Sequence, residues 1–421
     1  MKKLFMLLPI AALLLASCST DEQQFVNSDP RRPNIPTDAI WFTSGINDMT
    51  RGLTTMSNFA SFNVTGLHTD AEYSFSDLNV TSADNGATWT YNTGSVEKPY
   101  KLFPGDNSNI SFYAYAPTTL YSETPSDNHV SITSEGQAIN AFTQAQHVVD
   151  HTDVLAAFAT GNKINNTMSG VTLDFKHALA QIEIHAKNSD ADKYQVEVLG
   201  VKLCRTKKTG NMAFQTTATG YPTWASLTTP QDFIKKGSTP ITLTADAQNI
   251  MFNVDADNPD NFLMVPQQLT AWTGVNTDAD GAYLSVLCRI KSKKDEAWVQ
   301  RFPDETDKYG FAAVPIGTKW LPGHKYVYTL DFFGDGGGAG LVDPRPTNPD
   351  TAAGGSSDPS DPADDDTIDP TPKPMDEDGT VVDGGDTGGT AIIPEATSNI
   401  KFTVNITNWI TGEGDTETLA F

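Results

Sequence analysis

The feature that most restricts this chain is the recurrence of short stretches in which apolar and polar residues alternate, each closed by Gly, Asn, Asp or Pro. They fall at residues 39–42, 59–64, 73–78, 88–91, 110–116, 154–159, 171–175 and 181–186, then at 194–203, 241–243, 250–254, 262–265, 282–290, 298–302 and 326–333. Alternation of period two buries one face of an extended strand and leaves the other to water. No apolar pattern at helical spacing lasts beyond about three turns. Many short strands divided by turn residues predict an all-β fold built of sandwiches. At 421 residues the chain exceeds what one core supports, so two units are expected.

Past Phe333 the texture breaks. Residues 334–340 read GDGGGAG, and Gly, Asp, Pro, Ser and Thr dominate from there to residue 399. Sixty-six residues of this kind cannot bury enough apolar surface to offset the entropy of folding, which predicts a disordered acidic linker over 334–399. The glycines lack the G-x-G-x-x-G spacing of a nucleotide loop, and no helical pattern follows them. Between residues 341 and 399 fourteen acids and two bases leave a net charge of −12, half of the −24 carried by the whole chain. A protein so acidic repels phosphate, and no nucleic-acid partner is expected.

One more strand follows the linker. In NIKFTVNITNW (399–409), Ile400, Phe402, Val404 and Ile406 alternate with Lys401, Thr403, Asn405 and Thr407. Four such side chains, fully buried, contribute a gross of about 6–12 kcal/mol before entropy. Two destinations are open. As a Gly-rich coil, a linker of that length spans about 40–50 Å, enough to touch an adjacent subunit. Folding back costs about 3.7 kcal/mol plus a constant for loop closure, which the burial outweighs. In an isolated precursor the strand is expected to pair at home, with any exchange coming later.

At the other end, Met1-Lys2-Lys3 is basic, residues 4–15 are apolar but too short for a stable membrane span, and Leu15-Ala16-Ser17-Cys18 closes the stretch. This resembles the lipobox of bacterial lipoproteins, which makes 1–17 a lipoprotein signal peptide and Cys18 the lipidated first residue. A plain secretory signal with an incidental Cys is the other reading. Ser19-Thr20-Asp21-Glu22 resembles the acidic signal that sends such lipoproteins to the cell surface in Bacteroidota. Residues 18–38, polar and Pro-rich, are read as a tether. Each buried acyl CH₂ contributes about 0.8 kcal/mol, so two or three chains hold firmly. Cys204 and Cys288 are expected as buried single thiols on separate strands, with pairing in an oxidising compartment as the alternative.

Sites for catalysis or metal are weak. His147 and His151, with Asp150 and Asp153 nearby, match no H-E-x-x-H pattern and are expected in a solvated loop. Asn276, Asp278, Asp280 and Gly281 open like a calcium loop, but Leu287 stands where the bidentate Glu belongs, and a hairpin turn explains them better. Asp255, Asp257 and Asp260 read as solvated turns. His177 is expected to pack between strands. Without a nucleophile elbow, C-x-x-C or Walker loop, the chain is expected to be no enzyme, with no cofactor and no metal.

Four phrases in order, LDFKHALAQIEI (173–184), LMVPQQL (263–269), KWLPGHKYVYTLDFFGDGGGAG (319–340) and FTVNITNW (402–409), resemble the fimbrillin superfamily of lipoprotein pilins and pilus-associated subunits of Bacteroidota. The resemblance implies two tandem transthyretin-like Greek-key β-sandwich domains. They are expected at 39–187 and at 188–333 joined by 400–421. It further implies a surface lipoprotein cut by a trypsin-like protease after an Arg near the start of the first domain. The anchor and first strand leave, and a carboxy-terminal strand from the next subunit fills the groove. Arg51 in INDMTRGLTT is the expected cleavage site, Arg32 in the tether its rival, and Ile400, Phe402, Val404 and Ile406 the donor row. Implied partners are other fimbrial subunits, the outer membrane through the lipid anchor, the processing protease and a host or bacterial surface receptor. The alternative is a non-polymerising surface lipoprotein that binds glycan or host protein.

Overall fold

The computed structural model describes residues 29–45, 59–124, 128–146, 148–252, 261–274, 281–303, 309–343, 391–395, 400–409 and 417–420. The strands, in chain order, begin with β1 (Phe42–Gly45), β2 (Ser61–Leu67), β3 (Phe75–Thr81), β4 (Thr90–Tyr91), β5 (Ile110–Ala116), β6 (Val130–Ile132), β7 (Gln137–Thr143) and β8 (Leu155–Gly161). Next come β9 (Val171–Asp174), β10 (Lys176–His177), β11 (Ala180–Asn188), β12 (Tyr194–Ala213), β13 (Thr223–Thr242), β14 (Gln248–Asn249) and β15 (Phe262–Met264). The last are β16 (Tyr283–Lys294), β17 (Ala297–Phe302), β18 (Gly310–Pro315), β19 (His324–Phe332), β20 (Leu341–Val342), β21 (Lys401–Asn408) and β22 (Glu417–Ala420). Among the described residues the only α-helix is the single turn Lys163–Asn166, so the fold is all-β as the alternation predicts.

The first core lies between the sheet β10-β8-β5-β2-β3-β4 and the parallel pair β1-β9. Aromatic side chains fill it, with Phe62 in contact with Trp89, Phe59 and Phe175. The second core lies between the sheet β14-β11-β19-β21-β22, which β15 joins through β11, and the sheet β20-β18-β16-β12-β7-β6, which β13 and β17 flank. Branched aliphatics dominate here: Val196, Val198, Val201 and Leu203 of β12 face Ile182 and Ile184 of β11. A third cluster, including Tyr115, Leu120, Ile139, Phe142, Met212 and Val265, joins the two units.

Chain and unit do not divide where the sequence suggests. Residues 180–187, expected to end the first unit, open the second, because β11 pairs in parallel with β19 over Gln181 to Asn188. β6 and β7, within the stretch expected to belong wholly to the first unit, hydrogen-bond into the second unit's sheet through β12. Alternation marks a buried face without saying which sheet buries it. β12 itself runs for twenty residues rather than the ten expected, because bulges at Val198/Gly200, Leu203/Thr206 and Thr209/Asn211 break its period while its ladder continues. Its partner β13 carries Pro230 and Pro240 and pairs on one side only, the edge position to which a missing N–H confines proline.

Candidate functional site at the two terminal strands

β1 is laid into the first core as a plug. Ile40 and Phe42 point inward, where Phe42 meets Phe112 at 5.6 Å and Phe62 at 6.3 Å, both edge-on. Trp41 points outward into a small cluster with Ile35 and Ala39, and its indole N–H donates to the Thr167 carbonyl at 3.0 Å. Gly170 has φ +74°, and a Cβ there would stand 3.0 Å from the Trp41 ring, so the strand is also pressed from outside. Backbone groups hold the segment on both edges. The Ile40 N–H donates to Lys101 O at 2.8 Å, and the Val171 N–H donates to Trp41 O at 2.9 Å. The Tyr91 hydroxyl donates to Ile40 O at 2.7 Å, and burial pushes its pKa up to about 12. Thr43 and Thr172 join hydroxyl to hydroxyl at 3.0 Å where β1 and β9 run side by side.

Upstream, the expected tether is in part packed. Arg31 stands 55% exposed and pairs with Asp29 at 2.8 Å, whereas Arg32 is buried and its guanidinium donates to Pro36 O at 2.8 Å. Arg31 is therefore open to solvent, whereas Arg32, the rival cleavage site, is not. Cys18 and Arg51 lie outside the described residues.

β21 lies in the second unit as that unit's own strand. It pairs antiparallel with β19, placing Phe402 opposite Leu330, Val404 opposite Tyr328 and Ile406 opposite Tyr326. Ile400, Phe402 and Val404 are buried in the core and Ile406 packs against its rim, the alternation read from the sequence. Home pairing is thus the arrangement of the single chain. Beyond the strand, Trp409 stacks on His177 of the first unit, whose Nδ1 lies 2.9 Å from Asp153 Oδ1.

The stretch before β21 departs from the expected free linker. Leu341 bridges Ala391, the Ile392 N–H donates to Gly340 O at 3.1 Å, and Ile392 and Ile393 enter the second core. Arg301 adds an exposed ion pair to Glu395 at 2.8 Å. Only residues 394–399 then separate the buried Ile393 from Ile400, a reach of at most about 25 Å. On the near side, Asp343 is held inside by Lys202 at 2.7 Å, Ser285 at 2.6 Å and Tyr283 at 2.9 Å, with both members of the ion pair fully buried. Burial alone would pull Lys202 down, but the Asp343 carboxylate holds its pKa above the ordinary value. Its ammonium also lies 4.1 Å from the centre of the Phe311 ring.

The stretch of chain between these two strands is similar to known proteins. Residues 49–340 match the model of the fimbrillin-like family, more than half of the chain. The chain belongs to the fimbrillin-like family. As a member of that family it is a fimbrillin-like structural protein and not an enzyme. Among solved structures, a fimbrial protein from Bacteroides vulgatus is similar at 15% identity over 70% of this chain and 94% of that one, with a TM-score of 0.49. A cell-adhesion protein from Bacteroides eggerthii covers 90% of this chain and 99% of its own at 12% identity, with a TM-score of 0.39. No curated protein matches.

The remaining sequence candidates of this fimbrillin-like chain are structural where they are described. His151, expected in a solvated loop, is buried beside Phe233, and its Nδ1 accepts the Leu263 N–H at 3.0 Å. His147, the acidic stretch at Asp255, Asp257 and Asp260, and Asn276, Asp278 and Asp280 lie outside the described residues. Among the described residues no group of His, Cys, Asp and Glu is arranged to hold a metal ion. Cys204 and Cys288 form no disulfide: on the β12–β16 ladder Cys204 lies opposite Tyr283 and Cys288 opposite Val198. Burial pushes the Cys288 thiol up. Sequence reading missed Asp343, Ile392, Ile393 and Trp409 as fasteners. Ile392 and Ile393 were visible as an apolar pair closing a polar tract, whereas nothing local marks Asp343 as the partner of Lys202.

Proposed function

We propose that this protein is a subunit or accessory component of a surface fimbria, made as a lipoprotein acylated at Cys18 and matured by an Arg-specific protease at Arg51. Its two cores are read as tandem transthyretin-like Greek-key sandwiches, with an acidic linker ahead of the last strand. Cutting after Arg51 releases β1 and the packed segment before it. The observation that carries this reading is the way residues 40–45 sit: β1 and the two residues before it, whose Ile40 and Phe42 plug an aromatic core, are tied by backbone hydrogen bonds that any strand can make. Losing it exposes Phe62, Phe112 and the edge of β9, a slot that calls for another strand. β21 has the matching period. To leave home it must give up its β19 ladder and the Trp409 stack, and the Ile392–Ile393 anchor must open if it is to reach far.

The test is limited proteolysis of the purified precursor by a trypsin-like enzyme, followed by electrophoresis without heating. A ladder of SDS-resistant, heat-labile oligomers is expected, and none from Arg51→Ala. Cleaved chains that remain monomeric at high concentration overturn the polymerisation reading. The mass of the mature amino terminus from cells reports Cys18 acylation and the cut together.

A second reading has its own observation. A cleft of about 450 Å³ lies between residues 36–38 and the 97–102 loop, lined by Asp38, Glu72, Tyr73, Glu97, Tyr100 and Lys101 among others. Tyrosine faces beside carboxylates suit a sugar, so a non-polymerising glycan-binding lipoprotein is the rival. Because Asp38 leaves with β1, this cleft belongs to the uncut chain alone. Glycan binding by the precursor together with failure to polymerise after cutting would favour it.

A further inference from the structure

Residues 40–43 read IWFT and residues 400–403 read IKFT, and I-x-F-T occurs nowhere else in the chain. The first copy is the plug of the first core, and the second begins the terminal strand. We infer that β21 of a second copy of this chain takes the place of β1 residue for residue, running parallel to β9, so that assembly is self-complementary. This rests on the exchange reading above and fixes its partner and its register.

Each position supports the substitution. Ile400 comes where Ile40 lies, and Phe402 comes into the hole of Phe42, ringed by Phe62, Phe112 and Tyr91. Thr403 replaces Thr43, whose hydroxyl meets that of Thr172 at 3.0 Å. Lys401 replaces Trp41, the one outward position that differs sharply in character. Trp41 is buried by Ile35 and Ala39, which depart with the released segment, and by Tyr100 and Gly170, which stay. The outward position then opens to water on the side that Ile35 and Ala39 vacate, where a lysine stem can lie along the remaining apolar surface and its ammonium can donate to the Thr167 carbonyl that the Trp41 indole now satisfies. Lys401 is also exposed at home, so one side chain suits both settings. The backbone partners of the slot, Lys101 O, the Val171 N–H and the Tyr91 hydroxyl, ask only for a strand without proline, and residues 399–409 contain none. The third inward position is the exception: Val404 comes where the Ser44 hydroxyl accepts the Trp89 indole N–H at 3.0 Å, exchanging that hydrogen bond for apolar contact.

Register is read by cross-linking. Chains carrying Thr172→Cys are cut at Arg51 and mixed with cut chains carrying Lys401→Cys, Thr403→Cys or Asn405→Cys, then oxidised mildly. Thr172 is exposed in the precursor, and none of the three donor positions is fully buried, so the variants are expected to fold. Neighbouring positions on one strand face lie about 7 Å apart, too far for a disulfide meant for the next site. An intermolecular disulfide with Thr403→Cys and not with the other two is the expected result. Polymers that cross-link through 401 or 405, or through none of the three, keep strand exchange and overturn this register. Absence of polymers in every mixture removes the exchange reading, and this inference with it.

Discussion

The imidazole of His177 lies flat on the indole of Trp409, with 3.7 Å between ring centroids and 7° between planes. His177 belongs to β10 of the first sheet, and Trp409 is the residue just after β21. The Trp409 N–H also donates to Gly323 O at 2.9 Å. The end of the terminal strand is thereby bolted to both units at once, and β10 follows closely on β9, the partner of β1.

Removing that bolt has a measurable cost. Trp409→Ala is expected to lower stability by about 3–5 kcal/mol, as for other buried aromatics, and to raise hydrogen exchange along β21. Urea unfolding with peptide-level exchange checks both. Unchanged protection at residues 401–408 would show that the stack does not hold the strand.

Asp343 closes the second unit ahead of the acidic segment. Asp343→Ala leaves the Lys202 ammonium buried without its counter-charge, and a loss of about 3–5 kcal/mol is expected. Replacing both, Lys202→Met with Asp343→Leu, removes the charge problem and is expected to lose much less. The denaturation midpoints of the single and double variants decide the matter.

Stability also depends on acid. Glu183 accepts Lys325 at 2.7 Å and Asn261 at 2.9 Å, with His185 at 2.6 Å. Burial would raise its pKa, but the His185 and Lys325 contacts prevail and lower it to about 2. A carboxyl depressed on folding stabilises above its unfolded pKa and loses that contribution as pH falls toward the folded value. Between pH 4.5 and pH 2 the loss is expected to approach roughly 2–3 kcal/mol. Glu183→Gln flattens that limb, and thermal melts across this window measure it.

The linker's far end is held by two isoleucines. Ile393→Ala is expected to cost about 2–5 kcal/mol and to open residues 391–400 to proteases. If strand exchange is the mechanism, the same variant polymerises faster after cutting, because the anchor that limits reach is weakened. Cleavage mapping and the rate of ladder formation read the two effects separately.

Much of the fold was legible beforehand. The stretch 110–116 coincides with β5, the row at 181–186 lies within β11, and the rows at 282–290 and 326–333 overrun β16 and β19 by one residue each. β7 and β18 were not found. Gln137–Thr143 buries only Ile139 and Phe142, three positions apart, while Gly310–Pro315 is almost continuously buried, so neither shows clean alternation. The terminal row Ile400, Phe402, Val404 and Ile406 was readable, and so was the bond between its period and a waiting core. Its fasteners were not. Lys202 and Asp343 stand 141 positions apart, and His177 and Trp409 stand 232 apart, distances over which local pattern carries no information.

By itself the sequence determined that this chain is extended nearly throughout and that Ile400 to Ile406 has one face to hide, since period-two burial is a local property of the backbone. Tertiary structure alone decided where each face is hidden. β11 crosses into the second unit, β1 plugs the first, and the end of the acidic tract returns to the second core, because burial is settled by which distant surfaces meet and not by the residues beside them in the chain.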